Sequence, residues 1–158
     1  MNVKKKIYLI SLIFFLIDLL TKTLILTFEN YLPITVINNF FYIDKITNEG
    51  AAFSILNGHT IIFIIIAIIM LIYIDRNLLK DVKTKLDIIS YSLLIGGIVG
   101  NLFDRIFYKE VIDFLSFNIF GYMFPVFNLA DTFICIGIFI IIIKLLKGEK
   151  NENSSTRK

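Results

Sequence analysis

Four long apolar runs restrict the possible folds of this chain more than any other feature of its sequence. They cover residues 7–26, 59–74, 86–104 and 124–146. A helix needs about 20 apolar residues to cross the hydrocarbon core of a bilayer, and the runs are close to that length. The second run is the shortest, unless its helix starts before His59. We therefore predict an all-α membrane protein with four transmembrane helices.

The composition also indicates a membrane protein of one domain. The 158 residues are 57% apolar and 18% charged, whereas soluble domains are about half apolar and a quarter charged. We predict a single integral-membrane domain over residues 1–147. Residues 148–158 are polar and charged, which is typical of a disordered tail.

The distribution of positive charge indicates how the predicted helices are oriented. Lys and Arg favour cytoplasmic loops close to the ends of membrane spans. Most of the 16 Lys and Arg residues lie before the first run, between the second and third runs, or after the fourth. We therefore predict that both termini are cytoplasmic (N-in/C-in) and that residues 27–58 and 105–123 are extracytoplasmic.

The two segments predicted to be extracytoplasmic have different sequence patterns. Residues 27–58 contain two β-type stretches, 34–37 and 40–43, separated by an Asn-Asn turn signal. We predict a small β-rich cap in this segment. Residues 105–123 are rich in aromatic side chains, which is typical of a segment lying at the membrane interface.

Cysteine, histidine and net charge count against several classes of function. The single cysteine, Cys135, cannot form an internal disulfide and is predicted to be an apolar filler in the fourth helix. The single histidine, His59, cannot supply a metal site, so we expect no metal and no cofactor. The net charge of +3 is small and its distribution follows the predicted topology, which argues against nucleic-acid binding.

Polar side chains inside the apolar runs mark the candidate functional site. Asp131 lies near the start of the fourth run, and an ionisable group inside a membrane helix costs roughly 2.5 to 3.5 kcal/mol. If the fourth helix begins at Pro125, Asp131 lies about 9 Å along it. In the predicted topology the following residues all lie toward the outer leaflet: Asp18, Lys22, Asn101, Asp104, Asn128 and Asp131.

Carboxylates without metal-binding histidines favour the chemistry of an aspartic peptidase. In such an enzyme two Asp side chains hold a water molecule, one ionised to accept its proton and the other protonated to donate to the scissile carbonyl. Two like charges a few ångströms apart raise the pKa of one member, which keeps the pair in this state. Ser and Cys nucleophiles in this sequence lack a nearby base.

Five short blocks resemble, in order and spacing, the signatures of the bacterial lipoprotein signal peptidase (signal peptidase II) family. They are Asp18-Leu-Leu-Thr-Lys22, Asn48-Glu-Gly-Ala-Ala-Phe53, Gly100-Asn-Leu-Phe-Asp-Arg105, Val111-Ile-Asp-Phe114 and Phe127-Asn-Leu-Ala-Asp131. The resemblance implies a membrane aspartic endopeptidase that cuts prolipoproteins before a diacylglyceryl-modified cysteine. It also implies the bacterial cytoplasmic membrane, with the active site facing the extracytoplasmic side.

The resemblance implies a catalytic pair formed by Asp113 and Asp131. Asp104 is the rival partner, because its position at the end of an apolar run predicts deeper burial. Substrate-binding or supporting roles are implied for Asp18, Lys22, Asn48, Gly50, Asn101, Asp104, Arg105, Asn128 and Ala130. The sequence has Leu19 and Thr132 where the family usually has Gln and Ser, but the implied acids and amides are retained. We expect a monomer whose partners are prolipoprotein signal peptides and membrane lipid.

Two other classes of function remain open at this point. A small proton-coupled carrier could use the buried acids as a relay, although such a pathway needs polar groups along its whole depth and these gather on one side. A purely structural scaffold could hold the acids in buried ion pairs, such as Asp18 with Lys22.

Overall fold

The computed structural model describes residues 2–50 and 58–155, with side chains described as far as residue 147. Ala51, Ala52 and Phe53, which end one of the sequence blocks, lie outside the described residues. The elements in chain order are α1 (Val3–Thr27), β1 (Ile34–Ile37), β2 (Phe41–Asn48), α2 (Thr60–Arg76), α3 (Lys85–Phe107), β3 (Val111–Ile119), β4 (Tyr122–Met123) and α4 (Leu129–Ser155).

Long apolar helices form where the sequence predicted them. Four helices within the described ranges are long and apolar enough to cross a membrane: Val3–Thr27, Thr60–Asp81, Lys85–Phe107 and Leu129–Lys147. The short second run reaches this length because its helical structure continues beyond residue 74 through Asp81. The prediction of four helices capable of spanning a membrane is confirmed.

Helix α3 lies at the centre of the bundle and packs against α1, α2 and α4. In the most apolar 18-residue stretch of α3, 61% is buried inside the protein, compared with 6–17% in the corresponding stretches of the other three helices. Glycines allow this close packing. A Cβ added at Gly97 would overlap the carbonyl oxygen of Ala130 on α4, and one added at Gly100 would lie 2.5 Å from the Oδ2 of Asp18 on α1.

An antiparallel sheet of four strands, in the order β1-β2-β3-β4, is formed by the part of the chain that the structure describes. The predicted turn at Asn38-Asn39 is present between β1 and β2, and Asn39 has a φ of 59°. Residues 105–123 were predicted as an interfacial segment separate from the cap. They instead complete α3 and supply two strands of the sheet, because their β-branched and aromatic side chains suit a pleated surface and β2 pairs their backbone polar groups.

Helix α4 begins at Leu129, so the prediction of a start at Phe124 or Pro125 is wrong. The apolar residues before it continue the sheet instead. The N–H of Phe127 donates to the carbonyl of Leu115 at 3.2 Å, and the carbonyl of Phe127 accepts from the N–H of Leu115 at 2.7 Å. Asp131 therefore lies in the first turn of α4 rather than in its second.

Asn128 and Asp131 together cap the start of α4. The N–H of Asp131 donates to the Oδ1 of Asn128 at 2.9 Å, and the N–H of Asn128 donates to the Oδ2 of Asp131 at 3.4 Å. Two polar residues three positions apart satisfy each other's backbone in this way in a capping box. The cap fixes the point at which the chain turns from the sheet into α4.

The ends of the helices away from the sheet are joined by ion pairs. Lys4 donates to Oδ1 of Asp75 at 2.8 Å, which places the start of α1 beside the end of α2. Lys144 pairs with Asp87, which places the distal half of α4 beside the start of α3. The helix continues through Ser155, past residue 148 where the disordered tail was predicted to begin. Residues 156–158 of that predicted tail lie outside the described residues.

Candidate active site

A cavity of about 370 Å³ lies where α3, α4 and the sheet meet. It contains the carboxylates of Asp113 from β3 and Asp131 from α4. Its other polar residues are Asn48, Gly50, Asn101 and Arg105, and its apolar residues include Phe63, Cys135, Val111 and the segment 124–127. The sheet and the helix bundle thus bring together residues from five elements of the fold: β2, α2, α3, β3 and α4.

Asp113 is buried between two side-chain amides. The Nδ2 of Asn128 donates to its Oδ1 at 2.7 Å, and the Nδ2 of Asn48 donates to its Oδ2 at 3.2 Å. Burial and the neighbouring charge of Asp131 raise the pKa of Asp113 to about 7, against the opposing effect of the two amides. Near neutral pH this carboxyl group can therefore carry a proton.

Asp131 lies beside a side-chain amide donor at the start of α4. Its Oδ1 accepts a hydrogen bond from the Nδ2 of Asn101 at 2.7 Å. It also lies in the first turn of α4, where the helix dipole stabilises an anion. The two carboxylates thus differ in their surroundings.

The contacts of the two asparagines fix the orientation of their amides. The Oδ1 of Asn101 accepts from the Nζ of Lys22 at 3.1 Å, so the opposite end of the amide faces Asp131 as a donor. The Oδ1 of Asn128 accepts from the backbone of Asp131, so its Nδ2 faces Asp113. Each of these two amides consequently donates to one carboxylate, that of Asn101 to Asp131 and that of Asn128 to Asp113.

Lys22 lies behind the cavity between two further carboxylates. Its Nζ is 2.7 Å from the Oδ2 of Asp18 and 2.8 Å from the Oδ2 of Asp104. All three side chains are almost fully buried, at 1–2% exposure. The predicted pairing of Asp18 with Lys22 is present, and Asp104, the rival catalytic partner, is bound to the same ammonium group.

Arg105 ties α3 to the loop that follows β2. Its guanidinium donates to the carbonyl of Gly50 at 3.1 Å and lies 5.0 Å from the centre of the Phe63 ring. The N–H of Gly50 donates in turn to the Oδ1 of Asn48 at 2.9 Å. These contacts hold Asn48 with its amide directed at Asp113.

Seven residues of the cavity were missed as site residues in the sequence: Phe63, Val111, Phe124, Pro125, Val126, Phe127 and Cys135. Phe63 lies within an uninterrupted apolar run that carries no local signal. Cys135 was predicted to be a filler, although it follows Asp131 by one helical turn and therefore lies on the same face of α4. Ala130 contributes through its backbone, because its N–H donates to the Oδ1 of Asp18 at 2.8 Å.

Comparison with known proteins identifies relatives of this architecture. A family model described as Signal peptidase (SPase) II matches residues 10–147. A solved structure of a bacterial membrane enzyme, determined by the in meso method at 2.3 Å resolution, is 40% identical and has a TM-score of 0.82. That match covers 90% of this chain and 88% of the other.

A second solved structure supports the same relationship. It is also described as a bacterial membrane enzyme, determined by the in meso method at 1.9 Å resolution, and is 40% identical with a TM-score of 0.77. The match covers 88% of this chain and 91% of the other. The family is one of aspartic peptidases that act on lipoprotein precursors. Since the family model matches most of the chain, this protein belongs to the signal peptidase II family.

Proposed function

We propose that this protein removes signal peptides from prolipoproteins by hydrolysing the peptide bond before a diacylglyceryl-modified cysteine. Asp113 and Asp131 form the catalytic pair. The observation that carries this proposal is that both carboxylates face one cavity, each with an oriented amide donor and each in a different electrostatic environment.

The two acids divide the proton transfers between them. Asp131, ionised at the start of α4, accepts a proton from water as the water oxygen bonds to the scissile carbonyl carbon. Asp113, protonated near neutral pH, donates its proton to the carbonyl oxygen. These two transfers give a tetrahedral gem-diol intermediate. When its C–N bond breaks, the proton held by Asp131 passes to the leaving nitrogen, and Asp113 recovers a proton from one hydroxyl group of the gem-diol.

The orientation that suits this substrate places the cavity at the outer boundary of the bacterial cytoplasmic membrane. The ion pairs of Lys4 and Lys144 lie at the ends of the helices remote from the sheet. Basic helix ends favour the cytoplasmic side. The sheet and the cavity then lie on the extracytoplasmic side, where a lipid-modified precursor presents its cleavage site.

The walls of the cavity suit a substrate that is part peptide and part lipid. Phe63 and Cys135 come from helices whose outward faces are exposed along most of their length. Acyl chains and a signal-peptide helix can contact such surfaces directly from the bilayer. The polar face, with Asn48 and the two acids, then receives the peptide bond.

The proposal is tested by incubating purified protein in detergent with a lipobox peptide whose cysteine carries diacylglycerol. Mass spectrometry should show cleavage directly before the modified cysteine. The same peptide with an unmodified cysteine serves as the control and should be cut much more slowly. A well-folded protein that leaves the modified peptide intact would rule out the proposed substrate class.

We expect kcat/KM to fall as pH rises through about 7, because Asp113 must be protonated to donate and its pKa is raised to about 7. Below that pH the carboxyl group of Asp113 is protonated, and above that pH it has lost its proton. Asn48→Ala removes a hydrogen bond that lowers this pKa, so the alkaline limb should move to higher pH. The pKa values read from such a pH profile belong to the two interacting carboxyl groups together and not to Asp113 alone.

The control for this pH profile is Asn30→Ala, an exposed asparagine outside the cavity, which should leave the limb unchanged. A limb that moves to lower pH in Asn48→Ala would contradict the assignment of Asp113 as the acid.

A further inference from the structure

Lys22 is linked to both proposed catalytic acids through the side chains that it contacts. An ammonium group has three N–H donors. The ammonium of Lys22 forms ion pairs with the Oδ2 of Asp18 at 2.7 Å and the Oδ2 of Asp104 at 2.8 Å, and it donates a hydrogen bond to the Oδ1 of Asn101 at 3.1 Å. The side chain is 2% exposed, so these contacts replace its hydration.

Each of the two carboxylates bound by Lys22 also holds one backbone N–H. Asp18 accepts from the N–H of Ala130 at 2.8 Å, and Asp104 accepts from the N–H of Ile112 at 3.3 Å. Ala130 directly precedes Asp131, and Ile112 directly precedes Asp113. One position before each proposed catalytic acid, the backbone N–H therefore donates to a carboxylate that is paired with Lys22.

The third contact acts on a catalytic side chain through an amide. Because Lys22 donates to the Oδ1 of Asn101, the Nδ2 of that amide is directed at the Oδ1 of Asp131, 2.7 Å away. Loss of the ammonium would remove one of the two donors to this oxygen and leave the other, the Nδ2 of Asn128 at 3.1 Å. The amide would then be held toward Asp131 by one donor instead of two.

We propose that Lys22 is a positioning residue that sets the relative placement of Asp113 and Asp131 through Asp18, Asp104 and Asn101. This inference rests on the proposed catalytic roles of those two acids. A neutral side chain at position 22 would leave two buried carboxylates facing each other without a cation. Their repulsion would separate the backbone segments that they hold, and the two catalytic acids with them.

The first test is Lys22→Met, a neutral side chain of similar length. Misplacement of reacting groups by about 1 Å lowers catalysis by about 100-fold, and we expect a loss of that order in kcat. KM should stay within about twofold, because the substrate-contacting surface is unchanged. Lys45→Met removes a half-buried lysine of β2 that lies outside the cavity and pairs with Glu29, and it should leave both constants unchanged.

A second readout separates positioning from general destabilisation. The charge of Lys22 lowers the pKa of Asp113, so Lys22→Met should move the alkaline limb of kcat/KM to higher pH. The other groups that act on Asp113 keep their chemical identity in this variant: Asp131, Arg105, Asn48 and Asn128. A variant that is merely less stable would keep the wild-type limb.

Two charge-balanced variants protect the test against misfolding. Asp18→Asn with Lys22→Met, and Lys22→Met with Asp104→Asn, each remove one charge of each sign and leave one buried carboxylate. We expect both to fold and to lose at least about tenfold in kcat, since the bond from the ammonium to Asn101 is gone in each.

The outcomes distinguish this inference from the proposed function. Folded Lys22 variants with wild-type kcat and an unmoved pH limb would overturn the positioning role while leaving the peptidase intact. Failure of all three variants to fold would make Lys22 a residue of the fold and overturn the positioning role as well. A wild-type protein that fails to cleave the lipid-modified peptide would instead remove the proposed function, and this inference with it.

Discussion

Asp131→Asn and Asp113→Asn are each expected to lower kcat by about 10³- to 10⁴-fold, the upper part of the range for loss of a general acid or base. Asn has the shape of Asp and its oxygen can still accept from Asn101 or Asn128, so the fold should persist. An amide cannot take a proton from water, and it cannot give one up to a carbonyl oxygen. The loss should therefore lie in the chemical step.

Single-turnover cleavage of the lipid-modified peptide measures this loss without interference from product release. The matched control is Asp81→Asn, which changes an exposed carboxylate outside the cavity and should keep wild-type activity. Cleavage by Asp131→Asn within about tenfold of wild type would exclude it as the base.

Asp104→Asn decides between the two possible partners of Asp131. We expect partial activity, because Asp104 faces Lys22 and the N–H of Ile112 rather than the substrate. An inactive Asp104→Asn beside an active Asp113→Asn would assign the acid to position 104.

Gly97→Ala is expected to lower both stability and activity. The added Cβ would overlap the carbonyl oxygen of Ala130, which is backbone and cannot rotate away. Overpacking of this kind costs about 1 to 3 kcal/mol in the free energy of unfolding. Because Ala130 directly precedes Asp131, moving α4 away from α3 would also displace the proposed catalytic carboxylate.

Gly137→Ala provides a matched comparison on the same pair of helices. Its Cβ would lie 2.7 Å from the carbonyl oxygen of Ser90, again a contact between α3 and α4, but farther along α4 from Asp131. Both variants should have a lower Tm in detergent. Only the Gly97 variant should also lose kcat among its folded molecules, and equal kcat values would contradict a link between this packing contact and the site.

The bundle could be predicted from sequence because lipid selects apolar residues over whole helices. The runs at 59–74 and 124–146 contain long stretches of Ile, Leu and Phe, a signal that needs no knowledge of tertiary contacts. The start of α4 could not be read from hydropathy, since Phe124 and Phe127 are as apolar as the helix that follows. The better signal was polar: Asn128 followed three positions later by Asp131 is a capping pattern.

The site was harder to predict because long-range pairing creates it. From the sequence Asp104 looked more buried than Asp113, which lies outside the apolar runs. In the structure Asp113 is 3% exposed, because β3 pairs with β2 and places Asn48 and Asn128 on either side of the carboxylate. Such burial depends on residues up to 65 positions away, and no local pattern reports it.

The central position of α3 has a consequence for how the protein is made. Alone in lipid, this helix would carry Asp104 and Arg105 without partners, which is unfavourable. The cation that pairs with Asp104 is Lys22 on α1, which is synthesised earlier and enters the membrane first. Stable integration of α3 thus depends on α1 still being close by when α3 leaves the insertion machinery, so the order of helices along the chain contributes to membrane assembly.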